Sequence, residues 1–307
     1  MLLEGLVMEI RQLEYLIAVV EEANFTRAAE RLFVTQPGVS AQIRQLEAEF
    51  GQPLLDRSAR KVRLSQVGEA VLPHLRRAIA ALADAREAAD ALTGLIRGSV
   101  AIGMPNSYEG IDISGWLADF HRSHPNIEIT LKEGNSDDLI HALHNGQLDI
   151  ALLGLSGPSP RGLSTQIVES ETLVAVVAHD HPLASRDGIE LGDLQQFDII
   201  SPPRGSGTRA ALDEACHAKA VDLRIAFEVS NFSMLARLTA RGLGVAFLPA
   251  SYVKMRAEEL HALTISDSTS FARIELAWRE AASTSPAAAE LIRNASTYFA
   301  SAISPDR

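Results

Sequence analysis

The sequence has one cysteine, few aromatic residues and no long apolar run, and these absences exclude several classes of protein. A single cysteine, Cys216, excludes a disulfide framework and a multi-cysteine zinc site. No segment approaches the roughly 18 apolar residues of a membrane-spanning helix, and the N-terminus has neither the basic region nor the cleavage site of a secretory signal. Because 47% of the 307 residues are nevertheless apolar, we predict a folded cytoplasmic protein of about two domains, with no membrane partner.

The sequence also has no overall excess of basic residues. The net charge is −11, which at first argues against a nucleic-acid partner. The acidity is uneven, however, because residues 1–97 hold 12 Lys/Arg and 13 Asp/Glu, whereas residues 98–307 hold 16 and 26. Within the first third, four cations fall in seven residues, at Arg57, Arg60, Lys61 and Arg63. Such a cluster suits a phosphate backbone and equally suits a solvated loop, so charge alone leaves both interpretations open.

The first third of the chain carries apolar residues at helical spacing and no convincing strand. Asn24 or Thr26 can cap a second helix, and Thr35 can cap a third, whose first turn tolerates Pro37. Gly51 is typical of the residue that ends such a helix. These signals predict two helices joined by a tight turn.

The later helix of this pair places Gln36, Ser40 and Arg44 on one outward stripe. Glutamine can bond adenine through two hydrogen bonds, and arginine can bond guanine or a phosphate, so the stripe suits the major groove of DNA. The basic stretch 57–63 follows and can form a β-wing against the adjacent DNA backbone. A small helical bundle with a polar outer face is the alternative, because helix–turn–helix patterns have false positives.

Residues 66–96 are predicted to form one long helix rich in alanine and leucine. A seven-residue repeat runs along it, formed by Leu75, Leu82, Ala89 and Ile96, with Leu72 and Ile79 beside them. Such a repeat favours helix pairing between two chains. A helix that lies against its own domain is the alternative.

From residue 98 onward, strand-like and helix-like segments alternate, which predicts an α/β fold with a largely parallel sheet. The glycine- and proline-rich segment 154–160 interrupts the series and suggests a crossing between two lobes. We therefore expect a first lobe at about 98–156 and 268–303, and a second lobe at about 157–267.

Several short motifs together carry a likeness to a known family. In the helical pair they are Phe25-Thr-Arg-Ala-Ala-Glu-Arg-Leu32, Thr35-Gln-Pro-Gly-Val-Ser40 and Ile43-Arg-Gln-Leu-Glu47. Further along they are Leu54-Leu-Asp-Arg57, Val62-Arg-Leu-Ser-Gln-Val-Gly68 and Gly242-Leu-Gly-Val-Ala-Phe-Leu-Pro249. These motifs resemble those of LysR-type transcriptional regulators. The resemblance implies a winged helix–turn–helix domain at 1–65, a linker and dimerisation helix at 66–97, and a two-lobed effector-binding domain of periplasmic-binding-protein type at 98–307.

The exposed stripe and the resemblance together predict the contacts with double-stranded DNA. They are Thr26, Arg27, Gln36, Pro37, Ser40, Arg44, Arg57, Arg60, Lys61 and Arg63. Many members of the family carry Arg or another polar residue where this chain has Ala41, so one common DNA contact is absent. The resemblance also implies a homo-oligomer, a dimer or a tetramer.

The ligand of a two-lobed α/β domain lies in the crevice at the C-terminal ends of the strands, opposite helix N-termini that favour small anions. The resemblance implies inducer contacts at the same junctions. The expected residues are Asn106, Ser107, Asn135, Ser136, Ser206, Thr208, Ser230, Asn231 and Phe232, with Arg204 as a fork for a carboxylate. Each Ser, Thr or Asn among them has a helix cap as its alternative role. We expect the effector to be a small carboxylate or another anion.

The sequence thus predicts a ligand-responsive transcriptional regulator. A solute-binding module built on the same two lobes is one alternative, and an enzyme on this fold is another. We expect no enzymatic activity, no cofactor and no metal, because the chain shows no catalytic constellation, no phosphate-binding loop and no cluster of metal ligands.

Overall fold

The computed structural model describes residues 8–56, 62–91, 97–107, 111–266, 271–280 and 285–302. These residues form two compact units, one N-terminal and one C-terminal, that divide near residue 93. Within the described ranges, no helix is both long enough and apolar enough to cross a membrane.

The described part of the N-terminal unit is mainly helical. Its helices are α1 (Ile10–Glu22), α2 (Phe25–Arg31), α3 (Gln36–Phe50) and α4 (Gln66–Ala91). Two short strands, β1 (Leu55–Asp56) and β2 (Arg63–Leu64), pair antiparallel, as the predicted wing requires. Residues 57–61 connect these strands in sequence and lie outside the described residues.

The predicted helix ends of the α2–α3 pair are confirmed. Asn24, rather than Thr26, caps α2, because Asn24 Oδ1 accepts hydrogen bonds from the backbone N–H groups of Thr26 and Arg27 at 2.8 and 3.1 Å. Thr35 Oγ1 accepts from Gly38 N at 3.4 Å and caps α3. Gly51 ends α3 with a φ of +65°, a conformation that glycine adopts without strain. Side-chain oxygens thus satisfy N–H groups that the helices themselves cannot.

A compact core fixes α2 against α3. Ala28 and Ala29 are buried on α2, and Val39, Ile43 and Leu46 are buried on α3, all within one apolar cluster. Because alanine has a one-carbon side chain, the two helices can approach closely. The opposite face of α3 points away from this core.

The seven-residue repeat of α4 is buried in the first turns of the helix and exposed further along. Leu72 and Leu75 are buried, and Ile79 packs against the core of the N-terminal unit. Leu82, one heptad after Leu75, is 47% exposed, whereas Ile96 lies outside the described residues. The first turns of α4 therefore lie against their own domain, and an exposed apolar repeat starts only at Leu82.

The C-terminal unit alternates strands and helices, as predicted. Its strands in the described ranges are β3 (Gly98–Pro105), β4 (Ile127–Gly134), β5 (Ile150–Leu155), β6 (Leu163–Val177), β7 (Gly188–Ile189), β8 (Ile199–Ser201), β9 (Ile225–Glu228), β10 (Val245–Pro249), β11 (His261–Ile265) and β12 (Phe271–Arg279). Its helices are α5 (Ile113–Ser123), α6 (Ser136–His144), α7 (Gly207–Lys219), α8 (Phe232–Ala240), α9 (Ala250–Lys254) and α10 (Pro286–Ala302). Two short 3₁₀ helices span Pro182–Ser185 and Leu191–Gln196.

The central strands of this unit run antiparallel, which corrects one expectation. The strand order is β4-β3-β5-β12-β6-β10-β8-β9, and β11 pairs with β6 and β7. Strand β3 pairs in parallel with β4 and β5, and β8 pairs in parallel with β9 and β10. Strands β6 and β12, however, run antiparallel to all their neighbours. A largely parallel sheet is the wrong description of the centre, because β6 itself carries the chain from one lobe into the next.

Strand β6 belongs to both lobes, which also corrects the expected lobe boundary. Residues 163–172 pair with β12 in the first lobe, and residues 173–177 pair with β10 and β11 in the second. The chain therefore crosses between Thr172 and Leu173. The segment 154–160 instead contains the last two residues of β5 and the start of the connection from β5 to β6 within the first lobe. The second lobe accordingly begins near residue 173 and not near 157.

Each lobe has its own apolar core, and two glycines lie at one of the contacts between the lobes. Trp116, Phe120 and Phe299 are buried in the first lobe, and the second lobe has separate clusters around its own strands. Helix α7 of the second lobe contacts β5 of the first. A Cβ atom added at Gly207 would lie 2.4 Å from the carbonyl carbon of Gly154, so only glycine allows this approach.

Candidate DNA interface and effector cavity

The predicted recognition stripe lies on the outward face of α3. Gln36 and Arg44 are exposed, and Ser40 between them is half-buried. Arg44 Nη1 donates a hydrogen bond to Ser40 Oγ at 3.1 Å, so the guanidinium is held along the stripe. Amide, hydroxyl and guanidinium groups in a row are the side chains that read base edges in a groove.

Helix α3 is fixed at its C-terminal end to the start of the wing. Glu47 Oε1 accepts hydrogen bonds from the backbone N–H groups of Leu54 and Leu55 at 3.0 and 3.1 Å. The carboxylate therefore ties the helix to β1. This tie orients the wing strands relative to the recognition stripe.

The other residues expected to contact DNA are either exposed, ion-paired or outside the described residues. Thr26 and Pro37 are exposed at the first turns of α2 and α3, and Arg63 is exposed on β2. Arg27 is exposed and forms an ion pair with Glu22 at 2.8 Å, so a phosphate contact at Arg27 would compete with that carboxylate. Arg57, Arg60 and Lys61 lie outside the described residues.

Phe33 occupies the turn between α2 and α3 with its side chain in solvent. Its φ is +55°, which is rare for a bulky residue, and it is 96% exposed. The turn holds this conformation, because Phe33 N donates to Glu30 O at 3.1 Å and Val34 N donates to Ala29 O at 3.0 Å. The residue is thus strained and contributes little packing.

We expect Phe33→Gly to raise the free energy of unfolding by about 0.5 to 1 kcal/mol, because glycine adopts a positive φ without strain. Urea denaturation measures this difference. Val34→Gly is the control: its φ is not positive, so glycine should lower the stability there. Equal losses in the two variants would contradict the assigned turn geometry.

A cavity in the C-terminal unit collects most of the residues predicted to bind the effector. It lies where the two lobes face each other, near the ends of β3, β4 and β5 and the starts of α6, α7 and α8. Eight of the ten expected residues line it, namely Asn106, Ser107, Asn135, Ser136, Ser206, Thr208, Ser230 and Phe232. The structure therefore brings together side chains that are far apart in the sequence.

Arg204 and Asn231 do not line this cavity. Arg204 is exposed, so the expected fork for a carboxylate is not in place. Asn231 Oδ1 accepts from Met234 N at 3.1 Å and caps α8, which is the capping role left open for this residue. Sequence spacing located loops that line the cavity but did not determine which of their side chains line it.

Three of the predicted hydroxyl groups bind the protein itself. Ser107 Oγ donates to Ser230 O at 3.0 Å and accepts from Phe232 N at 2.8 Å, which links the two lobes. Ser136 Oγ donates to Gly154 O at 2.7 Å and accepts from Gly154 N. Ser206 Oγ donates to Pro203 O at 2.9 Å. These hydroxyls hold the walls of the cavity in position.

The N-terminus of α7 presents donors for which the described residues offer no acceptor. Thr208 lines the cavity and is only 7% exposed, and its hydroxyl has no partner within the described residues. The backbone N–H groups of Gly207 and Thr208 likewise have no acceptor there, since the Ser206 side chain accepts from Arg209 N. These three groups lie at the positive end of a 13-residue helix, where an anion is stabilised.

Sequence reasoning missed the acidic side of the cavity. Glu169 and Glu171 line it from β6, and Ser251 and Tyr252 line it from α9. Glu171 accepts from Ser251 Oγ at 2.5 Å and from Ser251 N at 3.1 Å. The signal in the sequence was a pair of carboxylates at i and i+2 within a strand, which places both on one face.

Cys216 and Asp149 carry potentially reactive side chains but lie outside the cavity. Burial, reinforced by Asp213 and Asp222, raises the pKa of the Cys216 thiol to about 11, so this cysteine is protonated at neutral pH and is a poor nucleophile. Asp149 Oδ2 accepts from Ala101 N at 2.8 Å and connects β5 to β3. Neither residue lines the cavity.

Comparison with known proteins gives one consistent result across the chain. Residues 10–69 match the model of the bacterial regulatory helix-turn-helix protein, lysR family, and residues 93–300 match the LysR substrate binding domain. The chain is 37% identical over 242 residues to the HTH-type transcriptional regulator ShiR of Corynebacterium glutamicum, covering 78% of this chain and 82% of that protein.

Two further similarities extend over most of the chain. It is 32% identical to the regulator YnfL of Escherichia coli, covering 91% of this chain and 95% of that one. Among solved structures, a variant of full-length OxyR from Pseudomonas aeruginosa has a TM-score of 0.72 at 24% identity, and the match covers 95% of this chain and 94% of that chain. The last similarity concerns the fold alone.

A helix–turn–helix unit combined with a two-lobed ligand-binding unit defines a DNA-binding transcriptional regulator that is controlled by a small-molecule effector. The chain belongs to the LysR family of these regulators.

Proposed function

We propose that the protein binds double-stranded operator DNA through α3 and that a small carboxylate or other anion controls this binding from the cavity between the lobes. The protein acts in the cytoplasm as a homo-oligomer, by family analogy a homotetramer. It acts by binding and not by catalysis. In support, both family models that match the chain describe LysR-type regulators.

The observation that carries the effector proposal is the unsatisfied N-terminus of α7. Gly207 and Thr208 line the cavity, and no residue in the described ranges accepts from their two backbone N–H groups or from the Thr208 hydroxyl. A carboxylate bound there would satisfy them and would interact favourably with the helix dipole.

Control of DNA binding follows if the effector prefers one arrangement of the lobes. Ser107 links the lobes through Ser230 and Phe232, and Gly205 O accepts from Ser136 N at 3.0 Å from the opposite lobe. A ligand that contacts both lobes adds its own contacts to these hydrogen bonds and so changes the relative stability of the two arrangements. Such a ligand shifts the equilibrium only by its difference in affinity for the two arrangements.

An exposed leucine on α4 supports the proposal of a homo-oligomer. Leu82 is large, apolar and exposed on the helix, one heptad after the buried Leu75. A second copy of the helix would remove Leu82 from water. Each buried leucine of this kind contributes about 1.5 to 3 kcal/mol.

Thr208→Val tests the anion site without changing side-chain volume. We expect effective carboxylates to alter the DNA affinity of this variant only at about tenfold higher concentration, because one hydrogen bond to a charged group is lost. Thr264→Val, at an exposed threonine of the same lobe, is the matched control and should respond like the parent. The measurement is a titration of small carboxylates against the complex with operator DNA.

The broader proposal fails if no small acid changes the affinity for operator DNA or the bending of that DNA. A response to acids that is identical in the Thr208→Val variant would leave the regulator intact but would locate the anion elsewhere.

A further inference from the structure

Two exposed arginines of α2 are paired with carboxylates at the end of the preceding helix. Arg27 and Arg31 lie four residues apart and therefore on one face of α2. Arg27 Nη2 lies 2.8 Å from Glu22 Oε2, and Arg31 Nη1 lies 2.8 Å from Glu21 Oε2. Both guanidinium groups are thus neutralised within the protein, although Arg27 is expected to contact DNA.

The two carboxylates have different partners. Glu21 accepts from Arg31 on α2 and, at 2.9 Å, from Arg76 on α4, whose side chain is only 10% exposed. Glu21 therefore ties α1 to two other helices. Glu22 contacts Arg27 at 2.8 Å and lies 3.6 Å from Arg31. Glu22 is therefore the carboxylate that neutralises Arg27.

We infer that Glu22 limits sequence-independent binding to DNA by holding Arg27 away from the phosphate backbone. This inference rests on the proposed function, because it concerns the DNA affinity of the same helical unit. In a helix–turn–helix pair the first helix crosses the DNA backbone, which brings the exposed start of α2 close to phosphates. A phosphate that binds Arg27 competes with the Glu22 carboxylate for the same guanidinium group.

The position of Glu22 makes its separation from Arg27 unfavourable. Glu22 is the last residue of α1, and the C-terminal end of a helix is its negative end. A carboxylate at that end is stabilised by a nearby cation. The Glu22 side chain is only 21% exposed, so salt screens this interaction incompletely. When Arg27 turns to a phosphate, Glu22 keeps its longer contact with Arg31, and DNA binding has to offset the loss of the shorter one.

The backbone at the start of α2 does not replace Arg27 as a partner for phosphate. Asn24 Oδ1 already accepts from the N–H groups of Thr26 and Arg27, so the guanidinium group is the main attraction for an anion at this point. Neutralising it lowers the affinity for DNA of any sequence and leaves base reading by α3 unchanged. Weak non-specific binding favours the operator, because non-specific sites compete in large excess.

The test is the affinity of the Glu22→Gln variant of the full chain for operator and scrambled duplexes, measured by fluorescence anisotropy at several salt concentrations. We expect both duplexes to bind about threefold to fivefold more tightly at low salt, the upper range for an exposed ion pair. The plot of log K against log salt should steepen by about 0.9, because one further phosphate contact forms. Misfolding would weaken binding and cannot imitate this gain.

Two controls separate the ion pair from the net charge. Glu14 is an exposed glutamate on the same helix, so Glu14→Gln changes the charge equally and should leave both affinities unchanged. In an Arg27→Gln background, Glu22→Gln should lose most of its effect, because the cation through which it acts is gone. A gain of equal size from Glu14→Gln, or an undiminished gain in the Arg27→Gln background, would show that charge alone is responsible and would overturn the inference.

The remaining outcomes distinguish the inference from the proposed function. If Glu22→Gln binds both duplexes as the parent does, or more weakly, while the parent prefers its operator, Glu22 does not restrain Arg27 and only the inference is overturned. A gain confined to the operator would make Arg27 a base contact and would overturn it as well. If the parent binds operator no more tightly than scrambled DNA, the proposed function fails together with the inference.

Discussion

Arg44→Ala is expected to reduce the affinity for operator DNA by about 10- to 100-fold while changing the stability of the protein little. A bidentate arginine–base contact contributes about 1 to 3 kcal/mol of discrimination, and Arg44 is exposed, with Ser40 Oγ as its hydrogen-bond partner in the described structure. The variant should also lose its preference for operator DNA over competitor DNA. Fluorescence anisotropy with operator and scrambled duplexes measures both quantities.

The control for Arg44 removes a cation from the other unit of the chain. Arg122 is exposed on α5 and pairs with Asp119, so Arg122→Ala changes the net charge equally without touching α3. We expect wild-type operator affinity from it. If Arg44→Ala protects the same site with the same affinity as the parent, the stripe on α3 does not read DNA.

Gly207→Ala is expected to lower the free energy of unfolding by about 2 kcal/mol and to abolish most of the response to effector. The added Cβ would lie 2.4 and 2.5 Å from the carbonyl carbon and oxygen of Gly154, and backbone atoms cannot rotate away as a side chain can. Helix propensity alone would favour alanine, so the sign of the effect tests the close contact. Forcing α7 away from β5 also displaces the two N–H groups proposed to hold the anion.

Gly192→Ala is the matched control for this substitution. Gly192 lies in the 3₁₀ helix Leu191–Gln196 of the same lobe, and an added Cβ there meets no atom within 4 Å. Its stability should change by less than about 0.5 kcal/mol. A Gly207→Ala protein as stable and as responsive as the Gly192→Ala protein would show that the lobes do not meet at residues 154 and 207.

The helical third of the chain was largely predictable from sequence because its signals are local. Asn24, Thr35 and Gly51 act within one turn of the helix ends that they define. Burial of Val39 and Ile43 follows from the helical period alone. Capping residues therefore determine the bounds of α3, and the helical spacing of its apolar residues determines which face is left for the recognition stripe.

The lobe boundary was not predictable because it depends on pairing between distant strands. Residues 163–177 form one strand, but the partner changes from β12 to β10 and β11 partway along. The glycine- and proline-rich segment before β6 gives a strong local turn signal that favours the wrong crossing point. Local composition cannot show which sheet a long strand joins.

The cavity between the lobes was predictable in the loops that line it and not in its acidic side chains. The junctions at residues 106–107, 135–136 and 206–208 converge as expected, because strand ends meet at one edge of a sheet. Arg204 does not line the cavity, and Glu169 and Glu171 come from the middle of a strand. Strand residues face the cavity only because β6 passes between the lobes, which no local pattern indicates.

The account is tested most directly by binding of the full chain to the DNA upstream of its own reading frame, measured by gel shift at several salt concentrations with excess competitor. We predict a complex at least about 1,000-fold tighter than binding to competitor, with an affinity that falls steeply as salt increases. Binding no tighter to the upstream DNA than to competitor, at every salt concentration and with or without small acids, would contradict it.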